Sequence, residues 1–208
     1  MQSHLYLITD ATQTAGRSLP AVVAQALEGG ARMLQLREKE LPPRQLFELA
    51  LELRQLTNRY QAQLIINDRL DIAQAVGADG VQLGIAGLPV TEARRQLGNN
   101  MLIGYSAHGV AEGVRAASDG ADFVTFGPVF DTASKRCYGA PLGLQQLRQA
   151  ATEISVPVYA LGGISAATVA DVMATGCHGV ALISAIIAAH HPGDAAQELL
   201  QTISQCSL

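Results

Sequence analysis

The chain has 208 residues, enough to bury one substantial core but short for two. Hydrophobic residues make up 49% and charged residues 15%, a balance that excludes intrinsic disorder. The formal charge of −4 excludes the broad basic footprint of non-specific nucleic-acid binding, so any anion site must be local.

Short β-rich runs alternate with longer helical patterns from one end to the other. The runs span residues 5–9, 33–37, 63–67, 80–83, 101–106, 122–127, 156–161 and 179–184. Most are continuously apolar, as expected of parallel strands covered on both faces. The clearest helices are predicted over 44–58 and 143–154; in the first, Leu46, Leu49, Leu51, Leu53 and Leu56 roughly follow helical spacing. Gly29-Gly30-Ala31, Gly77-Ala78-Asp79-Gly80, Gly120-Ala121-Asp122 and Gly176-Cys177-His178-Gly179 each stand just before a run, where glycine ends a helix in left-handed geometry. Eight such βα units predict one (β/α)8 barrel domain over residues 1–208. A doubly wound open sheet is the alternative. Regular spacing, and the lack of a nucleotide-type glycine fingerprint after the first strand, favour the barrel.

Cys137, Cys177 and Cys206 are too scattered for a disulfide framework. Residues 1–9 lack the pattern of a signal peptide, and no apolar run approaches the ~20 residues needed to span a bilayer. A cytoplasmic protein without membrane or nucleic-acid partners is expected. Barrels of this size often pair, so a homodimer is compatible with the sequence.

In a barrel, chemistry gathers at the carboxyl ends of the strands. Arg37 and Lys39 leave the second strand, where arginine can grip phosphate oxygens bidentately and lysine adds a mobile charge. The alternative is a surface cation pair neutralised by Glu38 and Glu40. Asn67 and Asp68 end the third strand and suit a Mg2+ ion that shares phosphate oxygens; Asp68 could equally cap the next helix. Ser106 and His108 follow the fifth strand, the histidine either an acid–base group or a structural hydrogen-bonder. Residues 127–144 make a long connection with Thr132, Ser134 and Lys135, which reads as a lid over a leaving group or as a solvated loop. Gly162 and Gly163 follow the seventh strand and Ser184 the eighth, a common place for phosphate; a tight turn and a helix cap are the plainer reading.

These motifs together resemble the thiamine-phosphate synthase superfamily, which also holds thiazole tautomerases of the TenI type. The resemblance rests on residues 35–39, 66–69, 77–84, 103–108, 126–135, 160–164 and 180–186. It implies that Gln35, Arg37, Lys39 and Asn67 bind an aminopyrimidine methyl diphosphate, that Asp68 binds Mg2+, and that Ser106 touches the pyrimidine. Lys135 would contact the diphosphate. Thr132, Ser134, Gly162, Gly163, Ile183 and Ser184 would hold a thiazole phosphate. The implied reaction joins the two small phosphorylated substrates and releases diphosphate.

Two departures divide the resemblance. Synthases usually carry a histidine and a second Mg2+-binding aspartate after the fourth strand; here those positions hold Gln82 and Gly87. Tautomerases look to use a histidine where this chain has Pro128, and proline transfers no proton. The synthase is the first reading, with a tautomerase or a non-catalytic thiazole-phosphate binder as alternatives.

Overall fold

A computed structural model describes residues 3–131 and 140–206. Strand β1 (Leu5–Ile8) leads through a 3-10 turn (Ala11–Gln13) into α1 (Leu19–Glu28). Then follow β2 (Met33–Leu36), α2 (Pro43–Arg59), β3 (Gln63–Asn67), α3 (Leu70–Val76), β4 (Gly80–Leu83) and α4 (Val90–Leu97). The second half runs β5 (Leu102–Ala107), α5 (Val110–Ser118), β6 (Phe123–Phe126), α6 (Gly143–Glu153), β7 (Val158–Leu161) and α7 (Val169–Met173). It closes with β8 (Gly179–Leu182), a single-turn α8 (Ser184–Ile187) and α9 (Pro192–Cys206).

All the strands are parallel, and β8 pairs back onto β1 with Leu5 opposite Val180 and Tyr6 opposite Ala181. The sheet is a closed (β/α)8 barrel, and the open doubly wound alternative falls. Strand limits differ from the predicted ones by a residue or two. Pro157 has no N–H to donate, so β7 begins at Val158 although the Pro157 carbonyl still accepts from Val124 N at 2.9 Å. Ser184 lies beyond the end of β8 and opens α8 instead.

Period-two alternation divides the core into two layers. Leu5 and Leu7 pack outward against the helices, with Leu34, Leu36, Leu64 and Ile66. Tyr6 and Ile8 point inward with Met33, Ile65, Phe123, Tyr159 and Ala181. The rings of Tyr6, Phe123 and Tyr159 meet edge-on, with centroids 5.6–5.8 Å apart, and plug the barrel interior. Gly104 on β5 makes room for them: a Cβ there would collide with the Phe123 ring and with Gln82 Oε1. Outside, α2 buries Leu46, Ala50, Leu53 and Thr57. Each fully buried leucine contributes roughly 2 kcal/mol of transfer free energy. Leu51, placed on that stripe by the sequence reading, faces outward and is exposed.

The amino-terminal end of the barrel is tied by ion pairs. Arg54 on α2 reaches Asp79 at 2.6 Å, and the same carboxylate oxygen accepts from Leu64 N at 2.7 Å. Arg94 on α4 reaches Asp122 at 2.5 Å, and that oxygen accepts from Ile103 N at 2.7 Å. Arg94 also donates to the carbonyls of Gly98, Met101 and Gly120. Among the described residues no helix is long and apolar enough to cross a membrane.

Candidate active site

At the opposite end, the strands open onto a cavity of ≈ 280 Å³. Gln35 and Arg37 reach it from β2, Asn67 from β3 and Ser106 from β5. Gly162 and Gly163 reach it from beyond β7, and Ile183 and Ser184 from beyond β8. Residues separated by up to most of the chain therefore share one mouth. Lys39 and Asp68 are exposed and do not line the cavity. Thr132, Ser134 and Lys135 lie outside the described residues.

Glu38 does not neutralise the neighbouring cations. Both of its carboxylate oxygens accept from Ala11 N at 3.1 Å, fixing the turn after β1. Among the described residues neither Arg37 nor Lys39 makes an ion pair. The Arg37 backbone is pinned by its N–H to Thr9 Oγ1 at 2.9 Å. Asp10, also in the cavity wall, accepts from Thr12 N at 3.1 Å and from Gln13 Nε2 at 2.7 Å. Burial alone would raise its pKa, but the hydrogen bonds from Thr12 and Gln13 and the charge of Arg37 outweigh that and hold it below the ordinary value.

Asp68 is not a helix cap: α3 starts after Arg69 with no side-chain cap. Its backbone is left-handed, φ 59°, and its N–H donates to the Gln82 carbonyl at 2.9 Å. Asn67 Nδ2 donates to Asp68 Oδ2 at 2.8 Å. A Cβ on Gly87 would stand 3.0 Å from Asp68 Oδ1, so a side chain at position 87 would point toward that carboxylate. One carboxylate beside a carboxamide fits the sparse end of Mg2+ sites, where water and substrate phosphate oxygens complete the octahedron. Among the described residues no group of three His, Cys, Asp or Glu side chains could hold a metal unaided.

The glycines after β7 are required by packing. Gly162 has φ 103° and a Cβ on it would meet Pro128 at 2.7 Å; Gly163 has φ 67° and a Cβ would meet Phe130 Cβ at 2.7 Å. The expected reason for these glycines, an anion approaching bare backbone, is thus not needed to explain them. His108 is anchored, its Nδ1 donating to the Gly127 carbonyl at 2.7 Å and its backbone N–H donating to Glu112 Oε2 at 2.7 Å.

Beneath the cavity a tier of polar side chains joins Gln35, Gln82 and Ser106, named from the sequence, to Tyr6 and Thr125, which were not. Gln35 Nε2 donates to Tyr6 Oη at 2.9 Å, and Tyr6 Oη donates to Gln82 Oε1 at 3.2 Å. Gln82 Nε2 donates to Ser106 Oγ at 3.0 Å and to Thr125 Oγ1 at 3.4 Å. Thr125 Oγ1 in turn donates to Ser106 Oγ at 3.3 Å. Burial raises the Tyr6 pKa far above its ordinary value, so the phenol stays protonated and available as a donor. Asp10 could have been found by the strand-end rule, since it follows β1 as Arg37 follows β2. Tyr6 and Thr125 are ordinary strand residues, and only barrel closure brings them to Gln82.

Residues 5–186 match the family model described as thiamine monophosphate synthase. The chain belongs to that family. The thiamine-phosphate synthase of Chloroflexus aurantiacus is 47% identical over 200 residues, covering 96% of this chain and 92% of that protein. The thiamine-phosphate synthase of Methanoculleus marisnigri is 46% identical over 200 residues, covering 96% of this chain and 95% of that protein. Among solved structures, thiamine phosphate pyrophosphorylase from Pyrococcus furiosus superposes with a TM-score of 0.90 at 37% identity, covering 97% of this chain and 96% of that one. Within the family, then, Pro128 in the cavity wall leaves this chain without the proton carrier expected of the tautomerase branch.

Proposed function

We propose that this chain is a thiamine-phosphate synthase, a transferase of thiamine biosynthesis. It joins an aminopyrimidine methyl diphosphate to a thiazole phosphate and releases diphosphate. The observation that carries the reading is Arg37, which has no ion-pair partner among the described residues and shares one mouth with Gln35, Asn67, Ser106, Gly163 and Ser184, in a chain 46–47% identical to thiamine-phosphate synthases.

The chemistry asks little of the protein beyond electrostatics. The bond from the pyrimidine methylene carbon to the diphosphate oxygen breaks, and its electron pair leaves with the diphosphate. The electron-rich aminopyrimidine ring stabilises the cation that remains, and the thiazole nitrogen lone pair forms the new C–N bond. No protein nucleophile is required. Arg37 and Lys39, with Lys135 from outside the described residues, stabilise the departing charge; such a donor is typically worth ~3 kcal/mol in the transition state. Gln35, Asn67 and Ser106 orient the pyrimidine. Gly162, Gly163, Ile183 and Ser184, with Thr132 and Ser134, hold the thiazole phosphate. Asp68 would hold Mg2+, which when bound neutralises diphosphate oxygens.

The test is direct. Purified protein given both substrates and Mg2+ forms thiamine phosphate and one diphosphate per turnover. No product above background at high enzyme concentration would reject the reading.

A further inference from the structure

The polar tier below the cavity has a direction. Gln35 donates to Tyr6, Tyr6 donates to Gln82, and Gln82 donates to both Ser106 and Thr125. Ser106 Oγ therefore accepts twice, from Gln82 and from Thr125, and makes no other hydrogen bond among the described residues. A hydroxyl that already accepts two hydrogen bonds has its own proton left to give. At the other end, Gln35 uses one N–H on Tyr6, and its carbonyl oxygen has no partner among the described residues. Gln35, Gln82 and Thr125 are each 2% exposed and Tyr6 is fully buried, so little solvent competes for the links that lead to Ser106, which itself is half-buried at the cavity. Gln35, Ser106 and Thr125 line the cavity, while Tyr6 and Gln82 lie behind them.

We infer that Gln82 is a positioning residue that fixes Ser106 as a hydrogen-bond donor, so that the site selects a substrate ring presenting an unprotonated nitrogen to Ser106. Gln35 at the other end of the same tier offers an acceptor and a remaining donor, which suits an adjacent amino group and ring nitrogen. The inference rests on the synthase reading and specifies how the pyrimidine is read. Gln82 never touches substrate. It acts through the one carboxamide whose oxygen faces Tyr6 and whose amide faces Ser106. The same contacts running in reverse would make Ser106 an acceptor and favour a protonated ring, and the test distinguishes the two directions.

The experiment compares the aminopyrimidine with two analogues, each having C–H in place of one ring nitrogen, by calorimetric binding to the parent protein and to variants. On the parent, the analogue lacking the nitrogen that faces Ser106 binds about tenfold more weakly, the worth of one lost hydrogen bond to a polar group in a buried site. In Gln82→Leu and Gln82→Glu that penalty shrinks to about twofold or less, because neither side chain donates to Ser106. Gln82→His keeps it, since a neutral imidazole both donates and accepts. Tyr6→Phe provides a second route should the Gln82 variants fold poorly: it frees the Gln82 carboxamide to turn and also shrinks the penalty. KM for the pyrimidine diphosphate rises in the Leu and Glu variants while KM for the thiazole phosphate stays within about twofold, a split that general loss of structure would not produce. An undiminished penalty in both Gln82→Leu and Tyr6→Phe, equal binding of all three pyrimidines to the parent, or tighter binding as the ring protonates would overturn the inference while leaving diphosphate release intact. A parent protein that neither binds the pyrimidine nor releases diphosphate would overturn the synthase reading as well.

Discussion

At the amino-terminal end of the barrel, Arg54 and Arg94 each close on an aspartate, whereas at the carboxyl end Arg37 and Lys39 close on none of the described carboxylates. The two ends are built from the same repeating unit, and both hold cations and acids, 25 and 28 residues apart in the amino-terminal pairs and adjacent in sequence at Arg37, Glu38 and Lys39. They differ in where the acids turn. Asp79 and Asp122 face their arginines and also cap a neighbouring strand N–H, whereas Glu38 turns away to Ala11. Charge is spent on holding the fold at one end and kept for a ligand at the other. Asp10 is the exception at the mouth, and its own hydrogen bonds from Thr12 and Gln13 keep it from closing on Arg37 as a simple pair.

Substitutions at the two ends should therefore separate activity from stability. The largest effect is expected for Arg37→Ala: roughly hundredfold or more lost from kcat/KM, about 3 kcal/mol of transition-state stabilisation, with an unchanged thermal melt. A diphosphate-release assay beside a melting curve checks it. Arg94→Ala should do the reverse, costing about 2 kcal/mol of stability in urea unfolding, because a charged donor and several carbonyl bonds are removed together. Activity per folded molecule should stay within about twofold. Equal losses of activity in the two variants would erase the distinction between the ends.

A smaller effect is expected at Gly87. Its missing side chain would point at Asp68, so Gly87→Asp places a second carboxylate beside the first. The Mg2+ concentration for half-maximal rate should fall several-fold and the rate at limiting Mg2+ should rise. An unchanged or greater metal requirement, or a slower enzyme, would show that Asp68 and the substrate oxygens already suffice or that no ion sits there. The smallest effect concerns Asp10. Its folded pKa is depressed, so its contribution to stability is complete above the ordinary carboxylate value of 3.8 and is lost as pH falls through the lower folded value. Asp10→Asn should remove that small contribution at neutral pH and flatten the acid limb, so that parent and variant stabilities converge as pH falls; a gap that persists undiminished in acid would contradict it.

The sequence carried the architecture well, because buried parallel strands leave continuous apolar runs and helix-ending glycines before them. Gly30, Gly77, Gly120 and Gly176 do take positive φ just before β2, β4, β6 and β8. The mouth was legible for the same reason: Arg37, Asn67, Ser106 and Ser184 stand at strand ends, and strand ends converge in a barrel. Contacts that depend on closure were not. Gln82 reads in sequence as a departure from the family pattern, and its partners Tyr6 and Thr125 are 76 and 43 residues away. The glycines after β7 were anticipated, but not the packing that also demands them, since a Cβ there would meet Pro128 and Phe130. Leu51 followed an apolar spacing that the α2 surface does not bury.

The charge comparison is tested most directly by calorimetric titration of inorganic diphosphate, with Mg2+, into the parent protein, Arg37→Ala and Arg94→Ala. Folded Arg94→Ala should bind diphosphate as the parent does, and Arg37→Ala about tenfold or more weakly. Equal affinity in all three would show that the open arginine at the carboxyl end is not where the anion sits.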